Sequence, residues 1–279
     1  MARRYFSLDR IPRSPFLPPV GSLRRAPKLP AKADFLARYV TIRDQGDEGA
    51  CTGFAETGQF EVARRAQGYP EPELVFSPQF LYYLEGKVEG HPGADDGAIP
   101  TDGLAILEHI GCCPESYDVY VAGDIQPPSA KAMAVAIRYR IQSFAPVSRV
   151  NRMASSPRQG LRPLLQLLAA RRPVNAAIAV YRSFEQTADG QIPMPGSAGQ
   201  DQLLGGHDVF LVGYGDEATA PGGGWIKGVN SWGRAWGDKG FFYLPYAYVY
   251  DAALTPGMWS IVLPSKSRPA LCARLCGRA

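Results

Sequence analysis

Cysteine is scarce in this chain: five residues among 279, at 51, 112, 113, 272 and 276. That number and its uneven placement exclude a disulfide framework stapling the fold, and a reducing compartment is compatible with it. No stretch approaches the roughly 18 apolar residues that a spanning helix needs, which excludes an integral membrane protein. The N-terminal run MARRYFSLDRIPRSPFLPPV opens with a basic pair but is broken throughout by Arg, Asp and Pro, so it holds no signal-peptide core. The expectation is a cytoplasmic protein or one exported by a non-classical route. Charge of one sign is also limited, with a net +4 concentrated toward the ends, and gives no reason to expect a nucleic-acid-binding face. There is no internal repeat of fixed period.

What is present suits a soluble domain with a sizeable core, since 46% of the residues are hydrophobic. Residues 1–28 carry seven Arg or Lys against one Asp, with several prolines, and read as an extended basic arm. Phe6, Leu8, Ile11, Phe16 and Leu17 would let such an arm dock in a groove. From Cys51 to Gln67 the small and apolar residues Phe54, Ala55, Gly58, Val62 and Ala66 share one helical face, and Gly68 with Pro70 ends the pattern. A second helix is expected from Ser77-Pro78, and a third from Thr101-Asp102 to Ile110, closed by Gly111. Beyond residue 140 the texture changes. One helix over 161–172 is followed by PVNAAIAVY, HDVFLVGYGD, GWIKGVNSWG and GFFYLPYAYV, short β-rich runs between glycine turns. Helices followed by strands imply an α+β fold, with a site expected between the halves.

A nucleophilic cysteine needs help to become a thiolate, a base to move its proton, a group to orient that base, and donors for an oxyanion. Cys51 lies at a helix N-terminus, whose partial positive charge favours a thiolate. Taken alone, such a cysteine is more often a buried small residue. Asp47 and Glu48 would oppose a thiolate if they pointed at it. Gln45 carries an amide donor suited to an oxyanion, and Gly46 and Gly49 let the loop between fold tightly. Only three histidines occur, at 91, 109 and 207. His91 reads as a loop residue, and His109 near Cys112 and Cys113 lacks the further ligand a zinc site needs. His207 opens a strand-like run and is the base candidate. Asn230 could accept its ring N–H, with Trp232 shielding that hydrogen bond from water.

The blocks DQGDEGACTGFA, GGHDVFLVGYG and NSWGRAWGDKGFF, in that order, resemble the signature blocks of the papain-like cysteine peptidases. The resemblance extends through LPAKADFLARYVTIRDQG, DDGAIPTDGLAILEHIGCCPESYDVY and RRPVNAAIAVYRSF, covering most of residues 29–263. It implies a two-lobed fold, with a helical lobe over 29–150, a β-barrel-like lobe over 151–264 and an active-site cleft between them. It also implies Cys51 as nucleophile, His207 as general acid/base, Asn230 as its orienter and Gln45 as oxyanion donor, with Gly97, Ala98, Gly206 and Trp232 along the substrate. The implied reaction is peptide hydrolysis through a thioester; acyl transfer to an amine, or a silent binding module, are the alternatives. The substrate would be a protein or peptide, with no metal or organic cofactor, no nucleic-acid or membrane partner, and a monomeric state.

Three residues depart from the family pattern: Thr52 stands where Trp is usual, Glu48 where a half-cystine is typical, and Asp208 where a small apolar residue follows the histidine. Asp208 would either raise the pKa of His207 or cap a nearby backbone group. The leader would be a short inhibitory prosegment or a mobile arm. The tail over 265–279, with Cys272 and Cys276, would be a loose basic extension.

Overall fold

The computed structural model describes residues 29–149, 154–196 and 201–265. The expectations for the leader over 1–28, and for Cys272 and Cys276, lie outside these residues. The first half holds a short β1 (Lys32–Ala33), helices α1 (Cys51–Ala66), α2 (Pro78–Val88), α3 (Pro100–His109) and α4 (Ala130–Ala136), and β2 (Ser143–Pro146). The second half holds α5 (Pro157–Gly160), α6 (Arg162–Ala169), β3 (Val174–Tyr181), α7 (Arg182–Glu185), β4 (Leu203–Asp216), β5 (Gly224–Val229), β6 (Phe241–Pro245), α8 (Tyr246–Tyr250) and β7 (Gly257–Val262).

The helix ends follow local chemistry. Ser77 caps α2 by accepting the Phe80 N–H at 2.9 Å, with Pro78 at the first helical position, where its missing N–H costs nothing. Helix α3 closes where Gly111 takes φ +96° and donates to the Ile106 carbonyl at 2.8 Å. The run over 241–250 is not strand throughout, as the sequence pattern had suggested. Pro245 has no N–H for the ladder, and Tyr246–Tyr250 turn into α8.

The strands form one antiparallel sheet in the order β2-β7-β3-β4-β5-β6, with β1 paired to β4. Two strands from the first half, β1 and β2, thus join the sheet of the second, so the division near residue 150 is one of helices rather than of hydrogen-bonded strands. Strand β3 is buried on both faces. Val174, Ala176, Ile178 and Val180 enter the core shared with α6 and β4–β6, while Ala177 packs toward α1–α3.

Helix α1 is the pivot of the fold. It is buried nearly all round, with Ala55 and Val62 in the sheet core and Cys51, Phe60 and Ala63 in the helical one. It lies so close to β4 that a Cβ on Gly58 would sit 2.5 Å from the Phe210 ring. This approach sets the head of α1, and with it Cys51, against the start of β4.

Candidate active site

Cys51 is the first residue of α1 and is 1% exposed. The backbone N–H groups of Thr52 and of Asp208, the residue after His207, lie close enough to Cys51 to lower its pKa. The head of α1 therefore lies beside the stretch of β4 that carries the base candidate, far away in sequence. Burial pushes the Cys51 thiol well above its ordinary range, the carboxyl groups of Asp208 and Glu85 push it further, and the two N–H groups pull it back. The helix N-terminus alone does not offset that burial. The feared acidic neighbours point elsewhere. Glu48 accepts the Gly123 N–H at 2.6 Å, and Asp47 is exposed on the loop.

His207 Nε2 lies 2.8 Å from Asn230 Oδ1. The same oxygen accepts the Ser231 N–H at 2.8 Å, so it is the carbonyl end of the amide and Nε2 must be the donor. The tautomer follows: Nδ1 is left to take up and return the reacting proton. The imidazole stacks on Trp232 with centroids 4.9 Å apart, and Trp232 in turn packs on Phe184 and Trp236. At 4% exposure Trp232 has little ring for a substrate to touch, and its shielding role is the one its packing carries.

Gln45 is held at every polar atom but one amide hydrogen. Its backbone N–H donates to Ser231 at 2.8 Å, its carbonyl accepts from the Tyr120 hydroxyl at 2.7 Å, and its Oε1 accepts from the Ser231 hydroxyl. One Nε2 hydrogen goes to the Glu48 carbonyl at 2.7 Å, and the other is the oxyanion candidate.

The loop that bears Gln45 is tied to the expected substrate segment by a carboxylate. Asp95 Oδ1 accepts from the Gly49 N–H and the Tyr82 hydroxyl, each at 2.8 Å, and Tyr82 Oη accepts from the Gly97 N–H at 3.1 Å. That last bond engages the N–H of Gly97 within the protein, whereas the buried Ala98 makes no backbone hydrogen bond among the described residues. Gly206 is buried, paired with Ala179 immediately before His207.

Sequence reasoning passed over Ser231, Asp95, Tyr82, Tyr120 and Asn175. Asn175 donates to Asp208 Oδ2 at 2.7 Å and the Val209 backbone N–H also steadies the carboxyl, so Asp208 is held inside by a side-chain amide and a neighbouring backbone group. The available signal was polarity inside otherwise buried runs, as with Asn175 in PVNAAIAVY. His109 ends α3, and Cys112 Sγ contacts the Ser77 carbonyl at 3.3 Å. Among the described residues no three His, Cys, Asp or Glu side chains group as metal ligands, and no helix is long and apolar enough to cross a membrane.

A helical half carrying a cysteine at a helix head, set against a sheet carrying a histidine–asparagine pair, defines a cysteine-type peptidase, a hydrolase. The profile described as papain family cysteine protease matches residues 29–251, and the chain belongs to that family. Xylellain, a cysteine protease from Xylella fastidiosa, shares 30% identity and superposes with a TM-score of 0.73, covering 85% of this chain and 87% of its own. A gut-specific cysteine proteinase of Caenorhabditis elegans is 31% identical over 226 residues, 72% of this chain and 62% of that protein. An uncharacterized peptidase C1-like protein of Acanthamoeba polyphaga mimivirus is 27% identical over 227 residues, 78% of this chain and 68% of that one.

Proposed function

We propose that this chain hydrolyses peptide bonds in proteins or peptides through a thioester on Cys51. The observation that carries the reading is the His207–Asn230–Ser231 arrangement, which supports Nε2 as the proton-bearing nitrogen and Nδ1 as the one that would serve Cys51. His207 Nδ1 takes the thiol proton, and the thiolate attacks the scissile carbonyl. The oxyanion is met by Gln45 Nε2 and the Cys51 N–H. As the C–N bond breaks, His207 returns the proton to the leaving amine. A water molecule then gives its proton to Nδ1 and attacks the thioester, releasing the acid and restoring the thiol.

Residues 1–28 are proposed as a short inhibitory prosegment over this site. The reading draws on their seven basic residues and on the proforms among the solved structures that share the fold. A peptide library, incubated with an added primary amine and analysed by mass spectrometry, is expected to yield free carboxylates rather than amides. Removing residues 1–28 is expected to raise the initial rate by about tenfold or more, by removing a competitor held at high effective concentration. Amide products throughout would favour the transpeptidase alternative, and an unchanged rate would sink the prosegment.

A further inference from the structure

Directly beneath Cys51 lies a group of side chains that the proposed chemistry does not use. Glu56 of α1, Glu85 of α2 and Asp208 of β4 are each at most 1% exposed. Each lies in the interior, yet their donors are too few. Thr52 gives its hydroxyl to Glu85 Oε2 at 2.6 Å and Asn175 its amide to Asp208 Oδ2 at 2.7 Å. Glu85 Oε1, Asp208 Oδ1 and both oxygens of Glu56 are buried without a partner. Glu56 is aimed into the group: Glu56 Oε2 and Glu85 Oε1 both come within 2.2 Å of the point where a Cβ on Gly103 would sit, so they are less than about 4.5 Å apart. The charged groups facing the three are acidic: one another, Cys51, Asp102 of α3 and Glu89. Among the described residues none of the three is in an ion pair with Lys, Arg or His.

Three ionised carboxylates cannot coexist there. An unpaired buried charge costs several kcal/mol, and a second one nearby costs more. The inexpensive state keeps protons on the group, leaving neutral acids that can donate to the unpartnered oxygens beside them.

We propose that Glu56, Glu85 and Asp208 are positioning residues, a shared-proton carboxyl cluster that holds the head of α1 against β4 and supports the Cys51 nucleophile only while it keeps its protons. Two links carry the effect: Thr52, which follows Cys51 in the chain, is bonded to Glu85, and both the backbone N–H and the carboxyl of Asp208 act electrostatically on Cys51. Ionisation of the cluster would set negative charge against the thiolate and pull the three elements apart. The cluster's demand for protons therefore sets an alkaline limit on the enzyme.

Burial and the neighbouring acids raise the carboxyl of Glu85 to about 8, and those of Glu56 and Asp208 well above the usual range. A folded-state pKa above the unfolded one contributes stability that is full below the unfolded pKa, near 4, and is lost as pH rises through the folded value. At pH 9 about one tenth of the Glu85 carboxyl groups remain protonated, so a requirement for that proton lowers the rate about tenfold relative to pH 6.

The test compares the full chain with Glu85→Gln and Glu56→Gln, measuring melting temperature, kcat/KM on a peptide and alkylation of Cys51 by iodoacetamide, from pH 5 to 9. An amide at position 85 can still accept from Thr52 while offering an N–H to Glu56 without a titratable proton. In the parent chain melting temperature and kcat are expected to fall between pH 7 and 9. In Glu85→Gln the ratio of kcat at pH 9 to that at pH 6 is expected to be about tenfold higher than in the parent. An alkaline limb that is identical in all three proteins, or a melting temperature flat across the range, overturns the proposal. The cluster assignment rests on the peptidase reading only for its kinetic arm. Absent hydrolysis together with a variant-sensitive melting limb would uphold the cluster and refute the peptidase reading.

Discussion

His207→Ala lowers kcat/KM on a peptide substrate by at least ~10³-fold, with most of the loss in kcat. Under the proposed mechanism three separate functions fall to that imidazole: taking the thiol proton, balancing the thiolate's charge, and protonating the leaving amine. The second weighs heavily in this protein, because burial already pushes the Cys51 thiol up. Without the imidazolium, the fraction of thiolate at neutral pH becomes negligible. Alkylation of Cys51 by iodoacetamide should slow in parallel with hydrolysis, which separates loss of activation from loss of substrate binding. Asn230→Ala should cost less, roughly 10²-fold, because the imidazole remains but its Nε2 anchor at 2.8 Å is gone and Trp232 alone restrains the ring. A fluorogenic peptide assay with a melting curve for each variant checks both. Activity of His207→Ala within tenfold of the parent would remove His207 from the chemistry.

Gly103→Ala should destabilise the protein, against the sign that helix propensity alone assigns. In an exposed helix interior alanine is better than glycine by about 1 kcal/mol. In α3, however, the new Cβ would lie 2.1 Å from Glu85 Oε1, 2.2 Å from Glu56 Oε2 and 2.8 Å from Glu56 Cδ. Neither carboxyl group has solvent to move into, so the helices must part or the side chains must leave their rotamers. Overpacking of this kind costs on the order of 1–3 kcal/mol, and displacing the Thr52–Glu85 hydrogen bond adds to it. The melting temperature should fall by about 5–10 °C at pH 6. Adding Glu56→Ala, which removes one of the two clashing carboxyl groups, should recover part of the loss, a non-additivity expected of groups in contact. An unchanged or raised melting temperature for Gly103→Ala would mean that the three helices do not close on this cluster.

The residues proposed to react stand out in the sequence because each sits in a short block whose neighbours serve it. Gly46 and Gly49 shape the Gln45 loop, and Trp232 covers the histidine named with it. Helix limits were readable where a single side chain decides them, as at Ser77-Pro78 and Gly111. The misreadings share a physical origin. Strands β2 and β7 pair with each other across more than a hundred residues, so neither SFAP nor GMWSIV announces a strand alone. Glu56 and Glu85 carry no signal in the sequence, and only the convergence of α1, α2, α3 and β4 makes them a buried acid group. The direction of Glu48 was equally a tertiary matter, settled by the Gly123 N–H that draws it away from the thiol.

The central claim is that the sulfur of Cys51, activated by His207, opens peptide bonds. The most direct measurement is cleavage of a peptide library by the parent chain and by Cys51→Ser, each with and without residues 1–28. Mass spectrometry would look for the products and, at early times, for an acyl adduct on residue 51. The account predicts cleavage and a Cys51-linked acyl group in the parent, strongest without the leader, and a loss of at least ~10³-fold in Cys51→Ser. Equal cleavage by the parent and Cys51→Ser would contradict it.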